Sequence, residues 1–285
     1  MFKLSQQQVE QFNEDGFLIV DKLVEDDTVE VLRACFDRMF RGEFETGVRP
    51  DEVNWQEGES DPSLTRQICN GWKADRDVAN VVLREDLGAA IAELGDWPGT
   101  RLMVDNLLWK PPRARPLGFH QDSAFLEWYT PSDLLSCWIA LDDTVAEGGT
   151  VEFIRGSHKW HHSLPEGEFH GPEAYRKYME LAAEKEGVTP EVVYVEVPKG
   201  GGSFHHGWTW HGSGQNLAQR HRRSLVLHAM RSDTEYAPEH LQQGTGAIYS
   251  RYKRLADNVI DENFFPVIWR GDGYRTPELE MYLTR

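Results

Sequence analysis

Apolar residues near the start of the chain recur three and four apart. Val9 and Phe12 sit on a short predicted helix opened by a Ser5/Gln8 capping box and closed near Gly16. Phe17-Leu18-Ile19-Val20 then reads as a strand. Behind a cap at Asp26 or Asp27, the residues Val29, Leu32, Phe36, Met39 and Phe40 return at helical spacing. These opening helices should form an outer layer. Residues 42–75 are rich in charge, Gly, Pro and Trp without a sustained period, and read as loop. Residues 77–94 predict a further helix, interrupted at Gly88. From Gly95 onward the pattern changes to short β-like runs: residues 102–109, 134–141, 150–154, 192–197, 202–206 and 222–230. Many short strands punctuated by Gly and Pro predict a mainly β architecture, a jelly-roll or cupin-like barrel with flanking helices.

Between the third and fourth of these runs, residues 158–190 form an insertion with a charged helix expected over 173–186. An insertion of this length between strands is expected to act as a lid. The tail from Gly244 carries Tyr249, Tyr252, Phe264, Phe265, Trp269 and Tyr274, enough aromatic surface to pack back on the rest. With 285 residues, no repeat and no long linker, the whole of 1–285 is read as one domain.

Charge narrows the partners. The formal net charge of -17 disfavours a non-specific grip on nucleic acid or an anionic membrane, both of which need Lys and Arg against phosphate. It also disfavours coenzyme A esters, although a local patch at Lys110, Arg113 and Arg115 runs against the average. Cys35, Cys69 and Cys137 are widely spaced and form no C-x-x-C pair, as expected of reduced thiols. The N-terminal residues lack a signal-peptide core, and no apolar run approaches the ~18 residues of a membrane span. A cytoplasmic protein with a small-molecule substrate is the expectation.

The candidate chemistry lies in His120-Gln121-Asp122 and the later His211-Gly212-Ser213-Gly214-Gln215-Asn216, followed by Arg222. Two imidazoles and one carboxylate hold a non-heme ferrous ion on one face and leave the opposite face open for oxygen chemistry. Residues two apart on a strand share a side, so His120 and Asp122 can face one ion, with His211 as the third ligand. H-x-D alone is weak; joined to the second histidine and a spaced arginine it becomes specific.

Alternation supports Arg222. On the last long run Arg222, Ser224, Val226 and His228 share one side, and Arg223, Leu225, Leu227 and Ala229 the other. An arginine facing a barrel interior is costly without an anion, and the distal carboxylate of a 2-oxo acid is a natural partner. Arg220 and Arg223 are rivals expected at the surface. Some of Phe125, Trp128 and Tyr129, and some of Phe204, His206, Trp208 and Trp210, should face the cavity. Of His205 and His206 at most one can face the metal, and hydrogen bonding is its expected role. His158, His161 and His162 are read as loop structure rather than a metal cluster.

The segments Phe119-His120-Gln121-Asp122-Ser123-Ala124-Phe125-Leu126, Trp138-Ile139-Ala140-Leu141-Asp142-Asp143, Glu147-Gly148-Gly149-Thr150, Arg155-Gly156-Ser157-His158 and His211-Gly212-Ser213-Gly214-Gln215-Asn216 resemble the phytanoyl-CoA dioxygenase (PhyH) family over residues 14–231. The resemblance implies a double-stranded β-helix and an Fe(II)- and 2-oxoglutarate-dependent oxygenase using O2. By position it implies His120, Asp122 and His211 as iron ligands and Arg222 as the partner of the 2-oxoglutarate tail. Trp138, Ser213 and Asn106 match positions lining the same co-substrate. The carboxylate at Asp122 favours hydroxylation, desaturation or ring closure over the chlorination of related halogenases, which lack it. The implied reaction hydroxylates or oxidatively cyclises a small natural-product intermediate and releases succinate and CO2. A non-catalytic metal- or sugar-binding barrel, or a zinc hydrolase, uses the same ligands but leaves Arg222 without a purpose.

Overall fold

The computed structural model describes residues 1–164 and 167–283. Strands β1 (Phe17–Val20), β2 (Glu52–Val53), β3 (Arg66–Cys69), β4 (Gly99–Lys110), β5 (Leu117–His120), β6 (Tyr129–Thr130) and β7 (Leu134–Ala140) come first. They are followed by β8 (Val151–Ile154), β9 (Val192–Tyr194), β10 (Gly202–His206), β11 (His211–Ser213), β12 (Arg222–Arg231), β13 (Glu235–Tyr236) and β14 (Val267–Arg270). A large antiparallel sheet runs β1-β10-β7-β12-β4-β3-β2, with β14 also on β4, and faces a smaller sheet β5-β11-β8-β9. The predicted jelly roll is what forms. Between the sheets lie Phe17, Trp138, Ala140 and Val226 from the large sheet, and Val151 and Phe153 from the small one.

The helices cover the outer face of the large sheet. In α1 (Gln6–Asp15) the Ser5/Gln8 capping box is present, and Gly16 at φ 81 ends the helix in a left-handed conformation. In α2 (Asp26–Met39) the buried residues are Val29, Leu32, Cys35, Phe36 and Met39. They join Leu135, Cys137, Ile139, Leu225, Leu227 and Ala229 in the largest apolar cluster. That stripe, not intrinsic propensity, holds the layer in place.

Three expectations change. The helix expected over 77–94 is two helices, α3 (Arg76–Val82) and α4 (Glu85–Gly95), and the break falls at Leu83-Arg84. There the Arg84 guanidinium holds both the Leu23 carbonyl and Asp86, which itself lies in the first turn of α4. Gly88 lies inside α4, where the absence of a side chain lets β14 approach: a Cβ there would come within 2.9 Å of Ile268. Residues 42–75 are not all loop: β2 and β3 extend the sheet, pairing Ile68 with Leu107 and Cys69 with Asn106. Lys110 is no surface patch but fully buried, whereas Arg113 is exposed.

The insertion contains α5 (Lys177–Glu186), shorter than the expected helix, packed against β5. The tail, with α6 (Gly246–Tyr249) and α7 (Glu278–Leu283), returns Tyr249 and Phe265 into a cluster with Trp128 and Tyr129. The three cysteines are free and buried. Among the described residues no helix is long and apolar enough to cross a membrane.

Candidate metal centre

His120 ends β5, and His211 opens β11 directly opposite it across the strand pair. Asp122 follows in a 3-10 turn, Asp122–Phe125, just beyond the strand end. One ligand atom from each of His120, Asp122 and His211 lies within 4.8 Å of the others. The Asp122 Oδ1 atom is 3.3 Å from His120 Nε2 and 3.6 Å from His211 Nε2. A first-row divalent ion with bonds of about 2.1 Å keeps neighbouring donors roughly 3 Å apart, so the trio is close to ligating distance.

Tautomers follow from the backbone. His120 Nδ1 is 2.9 Å from the Gly118 carbonyl and His211 Nδ1 is 3.0 Å from the Thr209 carbonyl. A carbonyl only accepts, so each Nδ1 carries the proton and each Nε2 lone pair points into the cavity. Burial pulls the His211 imidazole well below its usual pKa, with His120 adding to the effect. Burial opposes the Asp122 charge too, but His211 and His228 outweigh it and hold the carboxyl well below the usual carboxylate range.

The second oxygen of Asp122 is held from behind. Ser136 Oγ donates to Oδ2 at 3.2 Å, and His205 Nε2 lies 3.3 Å from the same atom. Ser136 Oγ also meets His228 Nδ1 at 2.7 Å, and Asn106 Nδ2 donates to His228 Nε2 at 3.0 Å. Asn106, His228, Ser136 and Asp122 thus form one line of donors ending on the carboxylate, which leaves Oδ1 free to face His120 and His211. Hydrogen bonding is the role expected for one of His205 and His206, and His205 takes it; no such role is predicted for Ser136 or His228. Their signal was strand register: Ser136 stands between His228 on β12 and His205 on β10.

Arg222 is buried at the start of β12, facing inward as the alternation predicted. Its guanidinium donates to Ser224 Oγ and the Gly149 carbonyl, both at 3.0 Å, while Nε has no partner. Gly149 sits at φ +64, and a Cβ there would strike the Gly214 carbonyl at 2.6 Å. Among the described residues no carboxylate pairs with Arg222 within 4 Å, and burial draws the guanidinium down to about 10. A buried cation with a free N–H and no anion is costly, and a bound carboxylate would relieve that cost.

Lys110 lies opposite Arg222 and is buried too, and burial together with the Arg222 charge pulls its amine well below the usual lysine pKa. Its Nζ donates to Ser213 Oγ at 2.8 Å and to the Gly214 carbonyl, so Ser213 is fixed by the Lys110 amine as well as by its turn. Asn216 secures the same turn through the Lys110, Pro111 and Arg220 carbonyls. Arg220 is exposed, but Arg223 is not simply solvated: it pairs with Asp142 on the outer side.

All the expected co-substrate residues converge. An inner cavity of about 90 Å³ is lined by Asn106, Trp138, Ser213 and Arg222 together with His120, Asp122 and His211. Trp138 Nε1 and Asn106 Oδ1 are buried without partners. An outer cavity of about 210 Å³ shares Gln67, Asn106, His120, Asp122, Phe169 and His228 with it.

The aromatic expectations are only partly met. Phe125 lines the outer cavity, but Trp128 and Tyr129 belong to the tail cluster. None of Phe204, His206, Trp208 and Trp210 lines either cavity. Alternation on β10 turns Phe204 to the helical layer and His205 to the carboxylate. His158 meets the Asn13 carbonyl, His161 pairs with Glu186, and His162 stacks on Trp208 at 3.6 Å. Phe169, from the insertion, packs edge-on to His120 at 4.8 Å.

Residues 12–224 match the family model for phytanoyl-CoA dioxygenase (PhyH). Human peroxisomal phytanoyl-CoA dioxygenase is 25% identical over 245 residues, covering 79% of this chain and 68% of the human protein. A probable alpha-ketoglutarate-dependent hypophosphite dioxygenase of Stutzerimonas stutzeri is 33% identical over 131 residues, 45% of this chain and 44% of that protein. Among solved structures, the non-heme alpha-ketoglutarate-dependent carbocyclase SnoK from nogalamycin biosynthesis superposes with a TM-score of 0.73 at 22% identity, covering 93% of this chain and 96% of SnoK. The chain belongs to the phytanoyl-CoA dioxygenase family of Fe(II)- and 2-oxoglutarate-dependent oxygenases.

Proposed function

We propose that His120, Asp122 and His211 hold Fe(II), and that Arg222, flanked by Ser213, Trp138 and Asn106, holds the distal carboxylate of 2-oxoglutarate. The substrate is a small molecule of natural-product type, hydroxylated or oxidatively cyclised with release of succinate and CO2. Likeness to the carbocyclase SnoK supports that class of substrate. The observation carrying the reading is the pairing of three converging ligand atoms with a buried arginine that lacks an anion.

When bound, the iron supplies the centre at which O2 and the 2-oxo acid react. The protein's part is placement. His120 and His211 present Nε2 because backbone carbonyls hold their Nδ1–H groups, and Asp122 presents Oδ1 because Ser136 and His205 occupy Oδ2. Arg222 fixes the far end of the diacid in a space too enclosed for water to screen the pair. Phe125 and Phe169 surround His120 and keep water from the reacting face. Because Phe169 comes from the insertion, residues 158–190 act as a lid, and the whole of 1–285 works as one catalytic unit.

The test is succinate release from 2-oxoglutarate by protein stripped of metal and reloaded. Fe(II) should restore turnover, and Zn(II) should not. Succinate formation that is absent with Fe(II), or equal with either metal, overturns the reading.

A further inference from the structure

The outer cavity carries one acid that the iron site does not use. Glu52 lies in line with Cys69 and Asn106 across β2, β3 and β4, and its side chain lines the cavity. Two strand spacings separate Glu52 from Asn106, about 10 Å of sheet. The neighbouring Asp51 is neutralised by Lys73 and Arg251 at 3.5 Å each, with Tyr252 and Asn70 also bonded to it. Glu52 has no such company. It accepts from Tyr249 Oη at 3.3 Å, and among the described residues no Lys, Arg or His nitrogen comes within 4 Å of it.

The rest of the wall sharpens the contrast. Met103, Val104, Leu126 and Leu134 are apolar, Phe125, Phe169 and Tyr249 present rings, Gln67, Cys69, Asn106 and Thr245 are polar but uncharged, and no lysine or arginine lines the cavity. Away from the side chains of the metal centre, Glu52 is the charged group of this wall, and a carboxylate beside aromatic rings repels anions and favours a cation, which the rings also attract. This disfavours a phosphate or carboxylate at the Glu52 end of the cavity.

Resting on the oxygenase reading, we propose that the substrate carries a basic nitrogen, protonated at neutral pH, which pairs with Glu52 and sets the distance from the metal to the carbon attacked. The span suits a one- or two-ring amine with its ammonium at the Glu52 end and the reacting C–H beside His120 and Asp122. Glu52 is then the residue that selects the substrate.

The experiment is isothermal titration, without O2, of protein loaded with Fe(II) and 2-oxoglutarate against matched probes. Cyclohexylmethylamine, benzylamine and 2-phenylethylamine are compared with the alcohol and carboxylate of each framework. The amine should bind about 10-fold or more tightly than its alcohol and carboxylate partners. Glu52→Gln should erase that preference, while Glu52→Asp should retain part of it; thermal melting checks that both variants fold. The proposal is overturned by equal affinity for alcohol or carboxylate, by no binding of any amine, or by an amine preference that survives in Glu52→Gln. The oxygenase reading is scored separately, by the heat of 2-oxoglutarate binding to the iron-loaded protein before any probe is added.

Discussion

The two faces of β7 and β12 are made by alternate residues of the same strands and do opposite work. The outer face, Leu135, Cys137, Ile139, Leu225, Leu227 and Ala229, packs against the helical layer and is apolar except for Arg223 at its edge, paired with Asp142. The inner face presents Ser136, Trp138, Arg222, Ser224 and His228. Outer residues stabilise the fold by burial, each large side chain by roughly 1.5–3 kcal/mol, and do so with little regard to chemical identity. Inner residues keep partnerless polar atoms, among them Arg222 Nε and Trp138 Nε1, which weaken the fold until a ligand arrives. Stability and chemistry are thus separated by a period of two residues.

That separation can be broken at four points. Asp122→Ala on the inner side should cut succinate formation by about 10³-fold or more, because it removes one of the three proposed metal ligands. A variant that keeps a tenth of the wild-type rate would remove Asp122 from the assignment. On the outer side, Leu227→Ala should lower unfolding free energy by about 2–5 kcal/mol in urea. Its 2-oxoglutarate requirement should stay as in wild type; a shift in that requirement would mean the faces are not independent.

Arg222→Ala should raise the 2-oxoglutarate concentration for half-maximal turnover about 100-fold, near 3 kcal/mol of lost carboxylate pairing. An unchanged requirement in steady-state kinetics rules out the pairing. The mildest change is Ser136→Ala, which frees Asp122 Oδ2 from one of its two donors. Iron affinity should drop about 10-fold in competition with a chelator, with little change in the 2-oxoglutarate requirement. If affinity holds, the donor line from Asn106 to Asp122 does not orient the ligand.

The same division explains what could be read from the chain. The convergence of His120, Asp122 and His211 and the inward turn of Arg222 were legible because the residue types, their order and the alternation on β12 are properties of single segments. So were the outer faces of α2 and of β12 beyond Arg223, whose apolar residues keep their period. The strand Arg66-Gln67-Ile68-Cys69 was not: two polar residues open it, and it is ordered through pairing with β4. The burial of Lys110 is not legible either, since nothing local says that the Ser213 hydroxyl and two carbonyls enclose its Nζ. The roles of Ser136, His205 and Glu52 depend on the register of strands far apart in sequence. Helix boundaries failed for a similar reason, as the break at Arg84 is anchored by the Leu23 carbonyl.

Gln121, the middle residue of the first ligand motif, has its side chain away from the metal. Its amide nitrogen donates to the Trp208 carbonyl at 2.6 Å, and its oxygen accepts from the Ser163 hydroxyl and amide at 2.7 and 3.2 Å. One side chain therefore ties the insertion, the approach to His211 and the link between His120 and Asp122 into a single knot. If the insertion moves as the proposed lid, a shift at Ser163 would pull on the residue between His120 and Asp122, coupling the opening of the entrance to the spacing of the two proposed iron ligands.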